Sequence, residues 1–276
     1  MNHPNITKVF EIYQDRTTKQ THIIQELLGG GNFLDFILNN GPLAEPEACK
    51  LLRGVLLAVQ YMHSLGFAHR DLKPENLVLN TEHTVLKLID FGFSKSKNDM
   101  YGLETPIGTP GWSSSDVMKG QPYSLAVDMW SIGCIVYFAL FAVPPFNSDK
   151  TLLSEKVNEL NQLVKIGTYT WPDNIEISET AKKFISRLLE KDPNVRMSAT
   201  QALEHVWMTG KPLSTSQRKA EPKLNTEEKE LLRQTINSAI DRARESADET
   251  AQNEVDAEVG GLQLGGELNL ENYIPK

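Results

Sequence analysis

Cysteine is scarce in this 276-residue chain: Cys49 and Cys134 are the two, and both fall inside apolar, helix-like patterns. Such thiols read as reduced core residues rather than a disulfide framework, which fits a cytoplasmic, or also nuclear, location. A long apolar run is missing as well. The most apolar stretch, Ile132 to Val143, falls short of the roughly eighteen residues that suggest a bilayer span. It reads as a buried helix, and no membrane partner is expected. The opening Met1-Asn2-His3-Pro4-Asn5 lacks the basic start and apolar core of a signal peptide. Positive charge is not in excess either. With 28 Lys and Arg against 36 Asp and Glu, the net charge is −8, and nucleic acid is excluded as the main partner because phosphate binding needs a basic face. The acidity belongs to the tail: from Ser246 to Lys276 there are seven acids and one base, so that segment carries −6 of the total.

What is present is enough for a sizeable core, at 40% hydrophobic residues. Two β-rich runs, Lys8 to Tyr13 and Thr21 to Glu26, are separated by a polar turn and read as an antiparallel hairpin. Gln25-Glu26-Leu27-Leu28-Gly29-Gly30-Gly31 follows as a Gly-rich link. Asn32 to Asn39 reads as a short helix, and Glu45 to Leu65 as a long one. The latter places Leu51, Leu52, Val55, Leu56, Val59 and Met62 at a 3.6-residue period, with Pro46 in its first turn and Gly66 past its end. Further helical patterns run over Ser124 to Leu140, Leu152 to Leu163, Ser178 to Leu189 and Ser198 to Trp207. Residues 210 to 224 read as a linker, Thr226 to Arg244 as a possible helix and the acidic remainder as disordered.

Chemistry concentrates between His69 and Gly92. The run His69-Arg70-Asp71-Leu72-Lys73-Pro74-Glu75-Asn76 is followed, after a short apolar stretch, by Asp90-Phe91-Gly92. The intervening residues read as a tight hairpin, which would bring Asp71, Asn76 and Asp90 around one small volume. An amide oxygen and a carboxylate are hard ligands of the kind magnesium takes, with phosphate oxygens completing its shell.

The motifs, the Asn five residues after Asp71 and the Asp-Phe-Gly fourteen residues later, resemble those of eukaryotic-type protein kinases of the serine/threonine class. The closest flavour is the calcium/calmodulin-dependent group, and the resemblance covers about residues 3 to 208. It implies an α+β, kinase-like fold with a mainly helical large lobe, transfer of the ATP γ-phosphate to protein Ser or Thr, and ATP and Mg²⁺ at the site. It assigns Asp71 to orienting the substrate hydroxyl, Lys73 to the transferring phosphoryl group, and Asn76 and Asp90 to the metal. Thr109 would bond Asp71 and Lys73 and help admit Ser or Thr. Gln25 would be the gatekeeper, the Glu26 carbonyl and Leu28 amide would hold adenine, Val78 would floor its pocket, and Glu75 would lie at the rim, within reach of a basic substrate residue. Arg70 would answer a phosphate on Thr105 placed by an upstream kinase. His69, Phe91 and Val9 would stack. Asp128 would be structural, and Asp116 would pair with Arg196.

The resemblance also implies domains: residues 1–28 as a small-lobe remnant, 29–208 as the large lobe, 209–245 as linker and possible regulatory helix, and 246–276 as an acidic tail. No Gly-x-Gly-x-x-Gly loop or Val-Ala-Ile-Lys strand occurs, Asn32 stands where the family often has an acid, and Ser114-Ser115-Asp116 replaces Ala-Pro-Glu. Weak or absent turnover by the isolated chain is the consequence expected. The alternative is a non-catalytic kinase-like binding module, or a fragment of a longer kinase. Calmodulin is not an expected partner, since the 226–244 segment mixes acids with bases and has no aromatic anchor.

Overall fold

The computed structural model describes residues 1–96, 109–114, 116 and 124–210. The expected linker, regulatory helix and acidic tail beyond residue 210, together with Thr105, lie outside the described residues.

The chain begins with a two-stranded antiparallel sheet, β1 (Val9–Gln14) and β2 (Thr21–Gln25), in which Ile12 faces Ile23 and Tyr13 faces His22. The Asp15 carboxylate closes the turn by accepting the amides of Thr17 and Thr18 at 2.7 and 3.1 Å. At its base the hairpin is tied to the rest of the molecule by the chain entering and leaving it. The Thr7 amide donates to the Leu88 carbonyl and the Leu88 amide to the Asn5 carbonyl, both at 2.9 Å. Glu26 reaches down to Lys87, with both carboxylate oxygens 2.6–2.7 Å from the ammonium.

The helical lobe then starts with α1 (Phe33–Asn40). Asn32, which departs from the acid common in the resembling family, caps it: Oδ1 accepts the Asp35 amide at 2.8 Å. The preceding Gly30 has a steric reason, because a Cβ there would lie 2.1 Å from the Asn80 carbonyl oxygen. Helix α2 (Glu45–Ser64) carries the expected stripe inward, with Leu51, Leu52, Val55, Leu56, Val59 and Met62 all buried. Gly66, at φ 81°, turns the chain into β3 (Phe67–Ala68), which pairs with β6 (Lys95–Ser96). A 3₁₀ turn at Pro74–Asn76 leads to β4 (Leu77–Leu79), paired antiparallel with β5 (Leu86–Leu88). This is the expected tight hairpin, and Asn80 stabilises its turn by accepting the Thr84 and Val85 amides, both at 2.8 Å.

Helix α3 (Ala126–Phe141) runs through the middle of the lobe and is apolar all round, as a helix without a wet face must be. Against it pack α2 and α5 (Glu179–Leu188), while α4 (Leu153–Ile166) adds Leu160 and Val164 to the same continuous core. No helix among the described residues is long and apolar enough to cross a membrane. Both cysteines are free thiols. The arrangement is the α+β, mainly helical lobe with a small hairpin that the sequence implies.

The last helical pattern is not one helix. It breaks into α6 (Ala199–Glu204) and α7 (Val206–Thr209) at His205, whose ψ of 144° is extended. Ser198 and Gln201 form a reciprocal capping box at the start of α6, while the His205 ring accepts the Trp207 amide and caps α7. The break lets Trp207 pack on Phe184, with centroids 4.7 Å apart, while its indole N–H donates to Glu45 at 2.7 Å. Tertiary contacts at Trp207 thus outweigh the local helical preference of residues 198–207.

Candidate active site

The segment after β3 is polar and yet buried: His69 is fully buried, and Arg70 and Asp71 are 5% and 6% exposed. Buried polar groups persist only when bonded, and the bonds come from α3. One oxygen of Asp128 accepts the His69 amide and the other the Arg70 amide, each at 2.9 Å. The pair holds Arg70 at φ 72°, a left-handed conformation that costs a non-glycine residue roughly 1–2 kcal/mol. Burial acts to raise the Asp128 carboxyl pKa, but the His63 hydrogen bond and charge, with the Arg70 amide, hold it below the ordinary aspartate value. Asp128 is therefore an ionised structural anchor, the part the resemblance implies for it.

Asp71 sits at the centre of a closed ring. The Thr109 hydroxyl donates to Asp71 Oδ1 at 2.9 Å and accepts from Lys73 Nζ at 3.0 Å. The same ammonium lies 3.0 Å from Asp71 Oδ2. Asn76 Nδ2 adds bonds to the Asp71 carbonyl and to Oδ2, at 2.8 and 3.1 Å. Its two N–H bonds turn the Asn76 amide plane so that the other end, Oδ1, takes no hydrogen bond from the described residues.

Asp90 follows β5 closely. The Ile89 amide donates to the Asn76 carbonyl at 3.1 Å, so Asn76 and Asp90 flank the same open end of the β4–β5 hairpin. Asp90 is at φ 59° and Oδ1 accepts the Gly92 amide at 3.0 Å, leaving an exposed carboxylate. Among the described residues no group of three or more His, Cys, Asp and Glu could enclose a metal. A cation here would have two protein oxygen ligands, Asn76 Oδ1 and Asp90, and that donor set suits magnesium carried with phosphate oxygens.

Two further contacts lock this region. His69 tilts against Phe91 at 5.2 Å, and its Nε2 lies 3.1 Å from the Ile89 carbonyl. Burial pushes the His69 pKa down, so a neutral ring donates that bond. Arg70 Nε donates to the Phe93 carbonyl. Val9, the third expected member of the stack, remains 43% exposed. The expected Asp116–Arg196 pair is present at 2.9 Å with the arginine side chain fully buried. The guanidinium also meets the carbonyls of Glu190, Lys191 and Ala126 and the face of Trp130.

The residues assigned to the nucleotide lie along the hinge side. Gln25 is exposed, Leu28 is half-buried, and Val78 is half-buried and bridged to Asn32. Glu26 uses its side chain on Lys87 and on the Lys8 amide. Glu75 is half-buried, and its Oε2 is sealed without a partner among the described residues. Asp71, Lys73, Asn76 and Thr109 are thus brought into direct contact; Arg70 and Asp90 adjoin them through the backbone. Lys87 and His63 escape sequence reasoning. Neither lies in a motif, and each acquires its role from a partner more than sixty positions away.

Against this geometry stand the comparisons with known proteins. The protein kinase domain family model matches residues 1–208. A probable myosin light chain kinase of Dictyostelium discoideum is 39% identical over 223 residues, covering 80% of this chain and 68% of that protein. Calcium/calmodulin-dependent protein kinase type 1 of Macrobrachium nipponense is 41% identical over 219 residues, covering 78% of this chain and 61% of its own. The type 1B enzyme of Rattus norvegicus is 40% identical over 215 residues, covering 76% and 60%. The chain spans about three-fifths of the length of these two calmodulin-dependent kinases. Matched over this range by the family model and by several kinases, the chain belongs to the protein kinase domain family.

Proposed function

We propose that this chain carries the catalytic centre of a serine/threonine protein kinase, which moves the γ-phosphoryl group of ATP onto a Ser or Thr hydroxyl of a protein substrate. The observation that carries this reading is the Asp71–Thr109–Lys73 ring, closed at 2.9–3.0 Å. Phosphoryl transfer asks the protein chiefly for aim and charge neutralisation. Asp71, held by three donors, presents a carboxylate to the incoming alcohol and receives its proton. Lys73 supplies a fixed positive charge beside it. Thr109, bonded to both, sets the width of the opening and favours a short aliphatic hydroxyl over a phenol. Asn76 Oδ1 and Asp90 would hold Mg²⁺, which offsets phosphate charge when bound. Gln25, Glu26, Leu28 and Val78 would line the adenine side, with Glu75 near the substrate rim. The Arg70 guanidinium, carried on a backbone that Asp128 pins, would pair with a phosphate placed on Thr105 by an upstream kinase and so order the loop. Cytoplasmic placement accompanies this reading, and calmodulin is not proposed as a partner.

A second reading is a kinase-like binding module with little turnover. Two assays separate the readings. Magnesium-dependent ATP binding should be present and lost in Asp90→Asn. Peptide phosphorylation should fall by roughly 10²–10⁴-fold in Asp71→Asn. Equal phosphorylation by both proteins removes Asp71 as the base, and binding without turnover selects the module.

A further inference from the structure

At the join between α6 and α7 the chain breaks at His205, and the same residue repairs the break. Its ring Nδ1 accepts the Trp207 amide at 3.2 Å, one of the N–H groups that the start of α7 leaves unpaired. Helix α7 has only four residues, too few to hold its shape unaided. What it delivers is Trp207, which is 7% exposed. The indole donates to Glu45 on α2, the ring lies on Phe184 of α5, and the Trp207 carbonyl accepts the Cys49 thiol at 3.3 Å. The His205 ring rests against the same Phe184, 5.1 Å between centroids, and is half-buried, so solvent reaches it. The cap of α7 therefore depends on a ring nitrogen that can take up a proton.

We infer that His205 is a pH-sensitive latch: its neutral ring caps α7 and keeps Trp207 seated against α2 and α5, and a proton on Nδ1 releases that end of the lobe. A neutral imidazole has one acceptor nitrogen, so the cap requires the proton to sit on Nε2. An imidazolium has two donors and no acceptor, and its Nδ1–H would face the Trp207 N–H. Burial, and then the charge of Arg187 on α5, hold the His205 pKa below its ordinary 6.5. On α2, the Glu45 carboxylate is tied to Ser178 and to the Trp207 indole. The Cys49 thiol beside it is neutral, pushed up to about 12 by burial and by Glu45. On α6, Glu204 adjoins His205 in the chain. An opened α7 returns the histidine to its ordinary 6.5, so the open form binds the proton more readily than the clasped one. The clasp is therefore tightest at neutral pH and loses ground as pH falls below 6.5. Glu45 titrates lower, below its ordinary 4.5, so the two groups act in separate ranges.

The test is hydrogen exchange by NMR at the Trp207 and Met208 amides of the full chain. Rates are corrected for the intrinsic pH dependence of exchange and referenced to the buried amides of Val55 and Ile135. Protection should fall by about threefold or more between about pH 7.5 and about pH 5.5. His205→Asn keeps a side-chain acceptor that does not titrate, and its protection should stay constant within about twofold over the same range. Glu45→Gln should keep the native fall, because His205 remains. Flat protection in the native protein, an equal fall in His205→Asn, or loss of the fall in Glu45→Gln overturns the latch. The ¹⁵N shifts of the native His205 ring need no variant. They should show the Nε2-protonated tautomer at neutral pH and a midpoint below 6.5. An Nδ1–H tautomer, or a midpoint at or above 6.5, overturns the inference even if both variants fail to fold. Both readouts are independent of phosphoryl transfer.

Discussion

From Val127 to Phe141 every residue of α3 is buried, while all six residues of β1 are exposed. Both segments are rich in apolar side chains, so composition does not separate them. Position does. Helix α3 is packed between α2 and α5 in the continuous core, and its apolar character on all sides is satisfied. The β1–β2 hairpin is a two-stranded sheet with no third strand among the described residues, and Phe10, Ile12, Tyr13, Ile23 and Ile24 stay 42–60% exposed. A two-stranded sheet is marginal by itself. Its ties to the lobe are the Thr7–Leu88–Asn5 backbone bonds and the Glu26–Lys87 pair. The difference teaches where precision in this molecule comes from. Asp71 and Asn76 adjoin the backbone that Asp128 holds from the deep lobe, and Thr109 joins them by bonding Asp71 and Lys73, whereas Gln25, Glu26 and Leu28 lie on the lightly held side.

The sharpest way to break this contrast is to truncate one phenylalanine in each region. Phe184 is fully buried against Trp207 and His205. Phe184→Ala should cost about 3–5 kcal/mol in urea unfolding; a loss below about 1 kcal/mol would show the lobe to be loosely packed. An intermediate effect is expected at Glu45, which joins the start of α2 to α5 and α7. Its carboxylate accepts the Ser178 amide, the Ser178 hydroxyl and the Trp207 indole at 2.6–2.7 Å. Burial works to raise its pKa, but the bonds from Ser178 and Trp207 outweigh it and hold the group below the ordinary 4.5. A depressed carboxylate stabilises the fold above its unfolded pKa, and that contribution is lost as pH falls through the folded value. Glu45→Gln should therefore cost roughly 1–2 kcal/mol at pH 7, limited by partial exposure. Melting curves of mutant and native protein should converge as pH drops below about 4.5; a gap that stays constant with pH would remove Glu45 as the titrating group. The smallest effect belongs to the hairpin. Phe10→Ala, at a side chain 60% exposed, should change stability by about 0.5 kcal/mol or less. A larger loss by the same unfolding assay would mean that the hairpin is packed in solution against something that its exposure does not show.

Much of this was legible in residue order. The hairpin, α1 and α2, the β4–β5 turn and α3 through α5 all follow from local periodicity and punctuation, with ends within a few residues. The chemical motif is a local run with fixed spacings, so Asp71, Lys73, Asn76 and Asp90 could be named without coordinates. The break at His205 could not. Residues 198–207 have helical character throughout, and only the pull of Phe184 and Glu45 on Trp207 divides them. Asn32 was legible as a departure from a family pattern, but its work as a helix cap appears only once Asp35 is seen to bond it.

By itself, the order of amino acids determined the elements, the family motif and the set of side chains available for phosphoryl transfer, because those depend on neighbours a few positions apart. The tertiary structure decided which groups meet: His63 with Asp128, Asp128 with the amides of His69 and Arg70, Lys87 with Glu26, and Thr109 with Asp71 and Lys73. These partners lie 36 to 65 positions apart. Contacts at such separations form only when the burial of a shared core brings distant segments together, and local pattern carries no record of them.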